Sequence, residues 1–454
     1  MTIIRLHRHV AYLRALVVGL SLLGIIAASS ITANAQASNV QAIAADAPVG
    51  QVISSIEIVG ARVTRDFVIR RELATRIGQA FDPQKLAADL QRLDNLDIFS
   101  SVQVDRQPQP DGTLHLVLRV RELPPVVPYI TYDINDQNGW SFGPAIKSVN
   151  FLGRDVFVAG FALFGGRDSF LIDLNQPWWR GNHVSLGLIA SRDVRDNDLD
   201  GFMETASEFT PRLGTWIGAH GRAAVMVSYM RFQADRQQVL LSSRGDDELL
   251  RLGGSIGYDS RDAWGNPHHG WLNELELWKT GGPLPGDGDF WTLHADMRRF
   301  QPVGDHTLVL AALTSLQSGD VGDEIPVYMD YHLGGANSLR GYMVDELGPE
   351  LFGTHQLLST IEYRLPLVRP REITLFGLAA DIGLGGTLFA DGGLAWTQRS
   401  QLDLDRARFG VGAGLRILVP AVDMTRIEVG FGEDGWRFYV ASYSKMRAQR
   451  LRLR

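Results

Sequence analysis

Few stretches of this chain carry residue types at spacings that could do chemistry, and most fall short of what that chemistry needs. Gly253-Gly254-Ser255-Ile256-Gly257 has the G-x-S-x-G spacing of an activated serine. That arrangement works on a sharp strand-to-helix turn that exposes the hydroxyl. Here it lies inside an alternating run with no helical pattern after it, so no catalytic serine is expected. Asp196, Asp198, Asp200 and Gly201 match the opening of a calcium loop, but the twelfth position is Ser207 and not the bidentate Glu. His268 and His269 are neighbours and point opposite ways on an extended segment, a poor arrangement for one metal. No glycine-rich phosphate loop is present. The expectation is a protein that is not an enzyme and holds neither metal nor cofactor.

One acidic position is of a different kind. Phe389, Asp391 and Gly393 are two apart and share one face of a strand, with Ala390, Gly392 and Leu394 on the other. What such a carboxylate does depends on the elements around it.

The first 35 residues read as a secretory signal peptide. Arg5, Arg8 and Arg14 precede an apolar stretch from about Ala15 to Ala28, and Ala33-Asn34-Ala35 is a small-x-small cleavage site. These residues carry three Arg and no acid, so the formal charge of −7 becomes −7 − 3 = −10 for the mature chain. That argues against nucleic acid as a partner. The chain has no Cys, so an exported form needs no disulfide framework. Residues 36–50 read as a linker.

Residues 51–122 form a compact unit of order β-α-α-β-β. Val52, Ile53, Ile56, Ile58 and Val59 mark a strand closed by Gly60. Thr64 is placed to cap a helix running through Thr75. Asp82-Pro83 opens a second helix, with Leu86, Leu90 and Leu93 at helical spacing. Residues 99–104 and 114–120 alternate as strands joined at Asp111-Gly112.

After Pro124, Pro125 and Pro128, residues 127–446 read as sixteen strands. Trp291, Leu293, Ala295 and Met297 oppose Thr292, His294, Asp296 and Arg298. Leu357, Ile361, Tyr363 and Leu365 oppose Gln356, Thr360, Glu362 and Arg364. Val411, Ala413, Leu415 and Ile417 oppose Gly410, Gly412, Gly414 and Arg416. An apolar and a charged face on strands of about ten residues suits a transmembrane barrel with lipid outside and water inside. Asp391 on a lipid face would be costly, so its face should point into the lumen. Trp178, Trp179, Trp271, Trp291, Trp396, Trp436 and Tyr443 fit aromatic girdles. Most connections are short; the exception, about 36 residues between Gln317 and His355, is of a length that is usually functional. Residues 447–454 form a basic tail, read as solvated.

That long connection contains Leu333-Gly334-Gly335-Ala336-Asn337-Ser338-Leu339-Arg340-Gly341-Tyr342, which resembles the V/L-R-G-F/Y loop motif of the outer-membrane assembly and secretion superfamily that includes BamA, TamA and the two-partner secretion transporters. Phe389-Ala390-Asp391-Gly392-Gly393 is similar to the F-x-D-x-G motif that this family carries on its thirteenth strand. Tyr258 to Asp262, Ile361 to Pro366, Gly412 to Pro420 and Asn150 to Arg154 add weaker matches. The small unit, with Ile56 to Gly60 and Leu93 to Val102, resembles a polypeptide-transport-associated (POTRA) domain. The resemblance implies a mostly β fold, with a 16-stranded antiparallel barrel in the bacterial outer membrane and one periplasmic POTRA-like domain. It implies a loop folded into the lumen, with Leu339, Arg340, Gly341 and Tyr342 at its tip, latched by Arg340 to Asp391 between Phe389 and Gly393. Guanidinium–carboxylate pairing suits that latch, and glycines at 341, 392 and 393 would let backbones approach. The implied partners are unfolded outer-membrane or secreted polypeptides, outer-membrane lipids and accessory lipoproteins. The implied activity is assembly or insertion of outer-membrane proteins; a dedicated secretion pore and a passive porin stand as alternatives.

Overall fold

The computed structural model describes residues 50–135, 139–181, 183–197, 201–344, 352–375, 378–418 and 424–441. The signal peptide, most of the linker, Asp198 and Asp200, Tyr443 and the basic tail lie outside them.

The small domain is a three-stranded sheet covered by two helices. β1 (Ile53–Val59) runs parallel to the central β3 (Leu114–Glu122), and β2 (Phe99–Pro108) pairs antiparallel on its other side. Its core holds Val68, Ile69, Leu93, Ile98 and Leu118. Helix α2 (Pro83–Asp94) begins as its sequence requires, with the Asp82 carboxylate accepting from the Gln84 and Lys85 N–H groups. Helix α1 differs from expectation. It spans Asp66–Glu72, and Arg65 stands at its N-cap without a side-chain bond. Thr64 does not cap it, because its hydroxyl accepts instead from Asn150 Nδ2 at 2.9 Å. The helix stops before Thr75 because the buried Asp89 carboxylate takes the N–H groups of Ala74 and Thr75 (2.8 and 2.9 Å), and a backbone N–H so occupied is lost to the helix.

The remaining chain forms one antiparallel sheet of sixteen strands, all neighbours in sequence order. They are β4 (Val127–Asn135), β5 (Gly139–Phe151), β6 (Val156–Gly165), β7 (Arg167–Gln176), β8 (Val184–Asn197), β9 (Phe202–Ile217), β10 (Gly221–Ala234), β11 (Asp246–Asp259), β12 (Gly270–Gly281), β13 (Asp289–Val303), β14 (His306–Ser318), β17 (His355–Leu375), β18 (Leu378–Trp396), β19 (Arg408–Leu418), β20 (Thr425–Gly432) and β21 (Gly435–Ala441). The sheet curls until β21 lies beside β4. Among the described residues no hydrogen-bonded ladder joins those two strands, so the barrel is nearly closed, with a seam. No helix among the described residues is long and apolar enough to cross a membrane, which says nothing of a crossing by strands.

Alternation sorts the two faces. On β13, Trp291 and Met297 are exposed outward, while Thr292, Asp296 and Arg298 are buried inward. On β19, Val411 and Leu415 are exposed and Arg416 is buried. Ser255 lies inside β11, buried, with no helix after it. Among the described residues no group of His, Asp and Glu could hold a metal ion. The girdle is less uniform than its tryptophans suggest. Trp179, Trp291 and Trp436 are exposed, but Trp396 is buried with Leu394 and Ala407. Residues 397–407 fold over that end of β18 and withdraw it from the outer surface.

The long connection runs from Ser318 to His355 and contains a short pair, β15 (Tyr331–His332) with β16 (Phe352–Gly353). Its first part is held at one rim of the barrel. Tyr328 stacks on Phe232, with ring centroids 3.5 Å apart, and donates its hydroxyl hydrogen to Asp247 at 3.0 Å. From there the chain descends into the lumen.

Candidate functional site

The tip of this connection, Leu333 to Tyr342, is folded back on itself. Gly335 N–H donates to Tyr342 O at 2.8 Å, and Gly334, Gly335 and Gly341 all have positive φ. Leu333, Leu339 and Tyr342 are buried against Ala311, Leu358 and Ala395 of the wall. This apolar packing sets the depth at which Arg340 sits.

Arg340 is fully buried, and its guanidinium faces three carboxylates. It meets Asp391 in fork geometry, Nε to Oδ2 at 2.8 Å and Nη2 to Oδ1 at 3.0 Å. Its Nη1 donates to Glu428 at 2.7 Å and reaches Glu362 at 3.5 Å. The Phe389 ring lies beneath it, its centroid 3.4 Å from the guanidinium carbon. Thr360 donates to Asp391 at 2.9 Å, and Arg364 to Glu362 at 2.7 Å. A lone buried guanidinium is costly; paired and hydrogen-bonded on each side it is held in place.

The structure therefore brings together Arg340, Asp391 and Phe389, the residues singled out by motif. Asp391 lies on β18, the thirteenth barrel strand. The sequence reading gave Arg340 one partner and missed two. Glu362 stood on the charged face of its strand but was not connected to Arg340. Glu428 was not singled out, although Arg426, Glu428, Gly430 and Gly432 alternate in the same way.

The glycines also redistribute. Gly341 (φ +108°) is indeed at a close approach, but the facing bare surface is supplied by Gly410, Gly430 and Gly432. A Cβ on Gly410 would lie 1.8 Å from Arg340 O, and one on Gly430 2.7 Å from Gly341 N. At Gly392 and Gly393 the nearest atoms belong to side chains, beginning at 3.1 Å.

Tyr439, on the last strand, was missed as well. Its hydroxyl accepts from Gly341 N–H and donates to Tyr342 O, both at 2.9 Å. Tyr342 in turn donates to Phe409 O at 3.0 Å and accepts from Glu433 N–H at 3.1 Å. The loop tip is thus tied to β17, β18, β19, β20 and β21, the five strands that end at the seam.

A second site joins the small domain to the barrel. Asn150-Phe151-Leu152-Gly153-Arg154 forms the turn from β5 into β6. Leu152, Gly153 and Asp155 all have positive φ there, a strain that only a well-determined surrounding can hold. Arg65 N–H donates to Gly153 O at 2.8 Å, and Asn150 Nδ2 to Thr64. Arg71 pairs with the buried Asp155 at 2.5 Å and lies over the Trp178 ring. Val149 and Phe157 complete the core beneath α1. Glu122 accepts from the N–H groups of Arg62, Val63 and Thr64. Burial works against its charge, but these bonds outweigh it and hold the carboxyl below the usual range. Burial pushes the Glu72 carboxyl up to about 7, against the pull of Arg71.

Comparison with known proteins agrees with both parts. The Omp85 superfamily domain matches residues 150–434, and the POTRA surface antigen variable number repeat matches residues 51–123. The outer membrane protein assembly factor BamA of Nitratidesulfovibrio vulgaris is 23% identical over 84% of this chain and 49% of its own length. That of Neorickettsia risticii is 24% identical over 80% and 50%. The chain spans about half the length of these relatives. Among solved structures, BamA from Haemophilus ducreyi lacking POTRA domains 1–3 superposes with a TM-score of 0.55 at 15% identity, covering 86% of this chain and 83% of that one. CdiB from Escherichia coli gives 0.50 at 14%, covering 91% of each. With its POTRA domain in the periplasm and its barrel in the outer membrane, the chain belongs to the Omp85 superfamily.

Proposed function

We propose that this protein is an assembly factor that takes unfolded polypeptides in the periplasm and inserts them into, or passes them through, the outer membrane. The observation that carries the reading is the loop tip buried in the lumen and tied across β17 to β21, beside a seam without a ladder. Unpaired backbone groups in lipid are expensive, so strands β4 and β21 are a ready template for a client strand. A loop tied to the wall that ends in β21 is placed to govern whether that wall moves. The residues doing so are Arg340 through Asp391, Glu428 and Glu362, and Tyr342 through Tyr439. No reactive group is required, and the reading is of a non-enzymatic protein. Outer-membrane lipids and accessory lipoproteins are further partners under this proposal.

Depletion in the native cell tests it. Loss of several unrelated barrels from the outer membrane is the expected result. Loss of a single exported protein, with other barrels intact, would replace the reading by a dedicated secretion pore. In planar bilayers a small, fluctuating conductance that changes alike in Arg340→Ala and Asp391→Ala is expected. A large steady one indifferent to both would favour a passive porin.

A further inference from the structure

Outward positions of a barrel strand are exposed unless another part of the chain covers them. At the end of β18 remote from the small domain, they are covered. Leu394 and Trp396 point outward there, with Leu357 opposite Leu394 in register and Leu316 and Phe409 on nearby strands. Leu394 is only 2% exposed. The cover is the connection between β18 and β19, residues 397–407, which folds over the outer wall and seats Ala407 in that cluster. It therefore lies on the lipid-facing side of the wall. One outward position beyond Phe409 on β19, Val411 is exposed again, as is Leu388 on β18. On β14 the covered Leu316 pairs with Leu293, two residues from the exposed Trp291. Exposed tryptophans mark the level at which a barrel leaves the hydrocarbon, so the segment lies at the boundary of acyl chains and headgroups.

The segment has a fixed shape. It forms two single turns, Arg399–Gln401 and Leu404–Arg406. Gln401 accepts from the N–H groups of Thr397 and Gln398, both at 2.9 Å, and its own carbonyl accepts from Arg406 at 3.0 Å. Asp403 accepts from Asp405 N–H at 3.0 Å. Yet Leu402 stands 52% and Leu404 59% exposed. They alternate with Asp403 and Asp405, which are exposed like Arg399. Apolar tips beside charged groups suit an element lying in the membrane interface, with the tips among acyl chains and the charges among headgroups. The two carboxylates bar deeper entry, because a charge in hydrocarbon is costly.

We propose that residues 397–407 form an interfacial anchor, in which Leu402 and Leu404 bind the acyl chains of outer-leaflet lipids. The occupant is lipid because the segment continues the lipid-facing wall that resumes at Val411 and Leu388. The anchor fastens to the membrane the ends of β18 and β19, the strands that carry Asp391 and Gly410 against the loop tip. It rests on the barrel's place in a membrane and not on the assembly reading.

The chain has no cysteine, so Leu402→Cys and Leu404→Cys can each carry a single environment-sensitive fluorophore. Both side chains are exposed, so neither change removes core packing. The full chain is folded into phosphatidylcholine vesicles with and without bromine on the acyl chains, where bromine quenches a dye only at contact. Leu388→Cys on the outer wall is the lipid reference, and Asp323→Cys in the long connection is the water reference. Short-wavelength emission and bromolipid quenching that match Leu388→Cys are expected at both leucines. Water-like emission at either leucine, with lipid contact at Leu388, overturns the anchor and leaves the membrane placement standing. A label at Leu388 that reports water overturns the membrane placement and the anchor with it. With the dye at 404, adding Leu402→Asp should move emission to longer wavelength and reduce quenching. An unchanged signal there means that the dye alone seeks lipid, and also overturns the anchor.

Discussion

Arg340 holds three carboxylates at once, so its removal does more than delete one contact. Arg340→Ala leaves the buried Asp391 without its guanidinium and takes one of two cations from each of Glu428 and Glu362, a change that costs about 3–5 kcal/mol. The expected outcome is protease access to residues 319–354 in folded barrels. Asp391→Asn keeps the shape and leaves Arg340 two acids, so access should rise less than in Arg340→Ala; the reverse order would contradict the shared network. Tyr439→Phe removes one hydroxyl that both accepts from Gly341 and donates to Tyr342. Faster exchange of the Gly341 amide, equivalent to about 1–3 kcal/mol of local protection, is expected. At this scale the sequence was informative where alternation alone decides the face, as at Phe389 and Asp391. It could not supply Glu428 or Tyr439 as partners, because strand register and loop depth arise only when the sheet closes.

At the scale of elements, the turn between β5 and β6 is the joint on which α1 rests. Gly153→Ala would set a Cβ 1.9 Å from Val63 O at a φ of +70°, so the turn cannot keep its shape. Loss of hydrogen-exchange protection across residues 62–72, with the barrel intact, is the expected result. Glu72 makes the same region sensitive to pH. Its folded value of about 7 lies above the ordinary 4.5 of a glutamate, so the folded form binds its proton more tightly than the unfolded one. Its contribution is therefore most favourable below about pH 4.5 and declines as pH rises toward 7, by at most about 1.4 kcal/mol per unit. Thermal stability of the domain should fall from pH 5 to 7 in the wild type, and the fall should be reduced in Glu72→Gln. Helix α2 was readable from Asp82-Pro83, and α1 was readable as a helix but not at its ends. Thr64 looks like a cap in isolation, but its hydroxyl serves Asn150, 86 residues away.

For the whole molecule, strand number, alternation and the one long connection were legible because a barrel repeats a simple period. The seam was not, since nothing local in β4 or β21 records that they meet without a ladder. The chain has no cysteine of its own, so a pair introduced across β4 and β21 reports on that seam without competing thiols. Oxidation should leave the barrel folded yet stop assembly activity, with recovery on reduction; activity unaffected by the bond would rule out opening there. The bare stripe of Gly410, Gly430 and Gly432 beneath the loop bears on how fast such motion is. Interlocked side chains act as teeth, and parting them means climbing over each in turn. A backbone lying on glycines has no teeth there, so the charged contacts of Arg340 contribute most of the barrier along that stripe. Its release should accordingly respond to loss of charge at Asp391 or Glu428 more than to the size of neighbouring apolar groups, like a magnetic catch on a smooth rail.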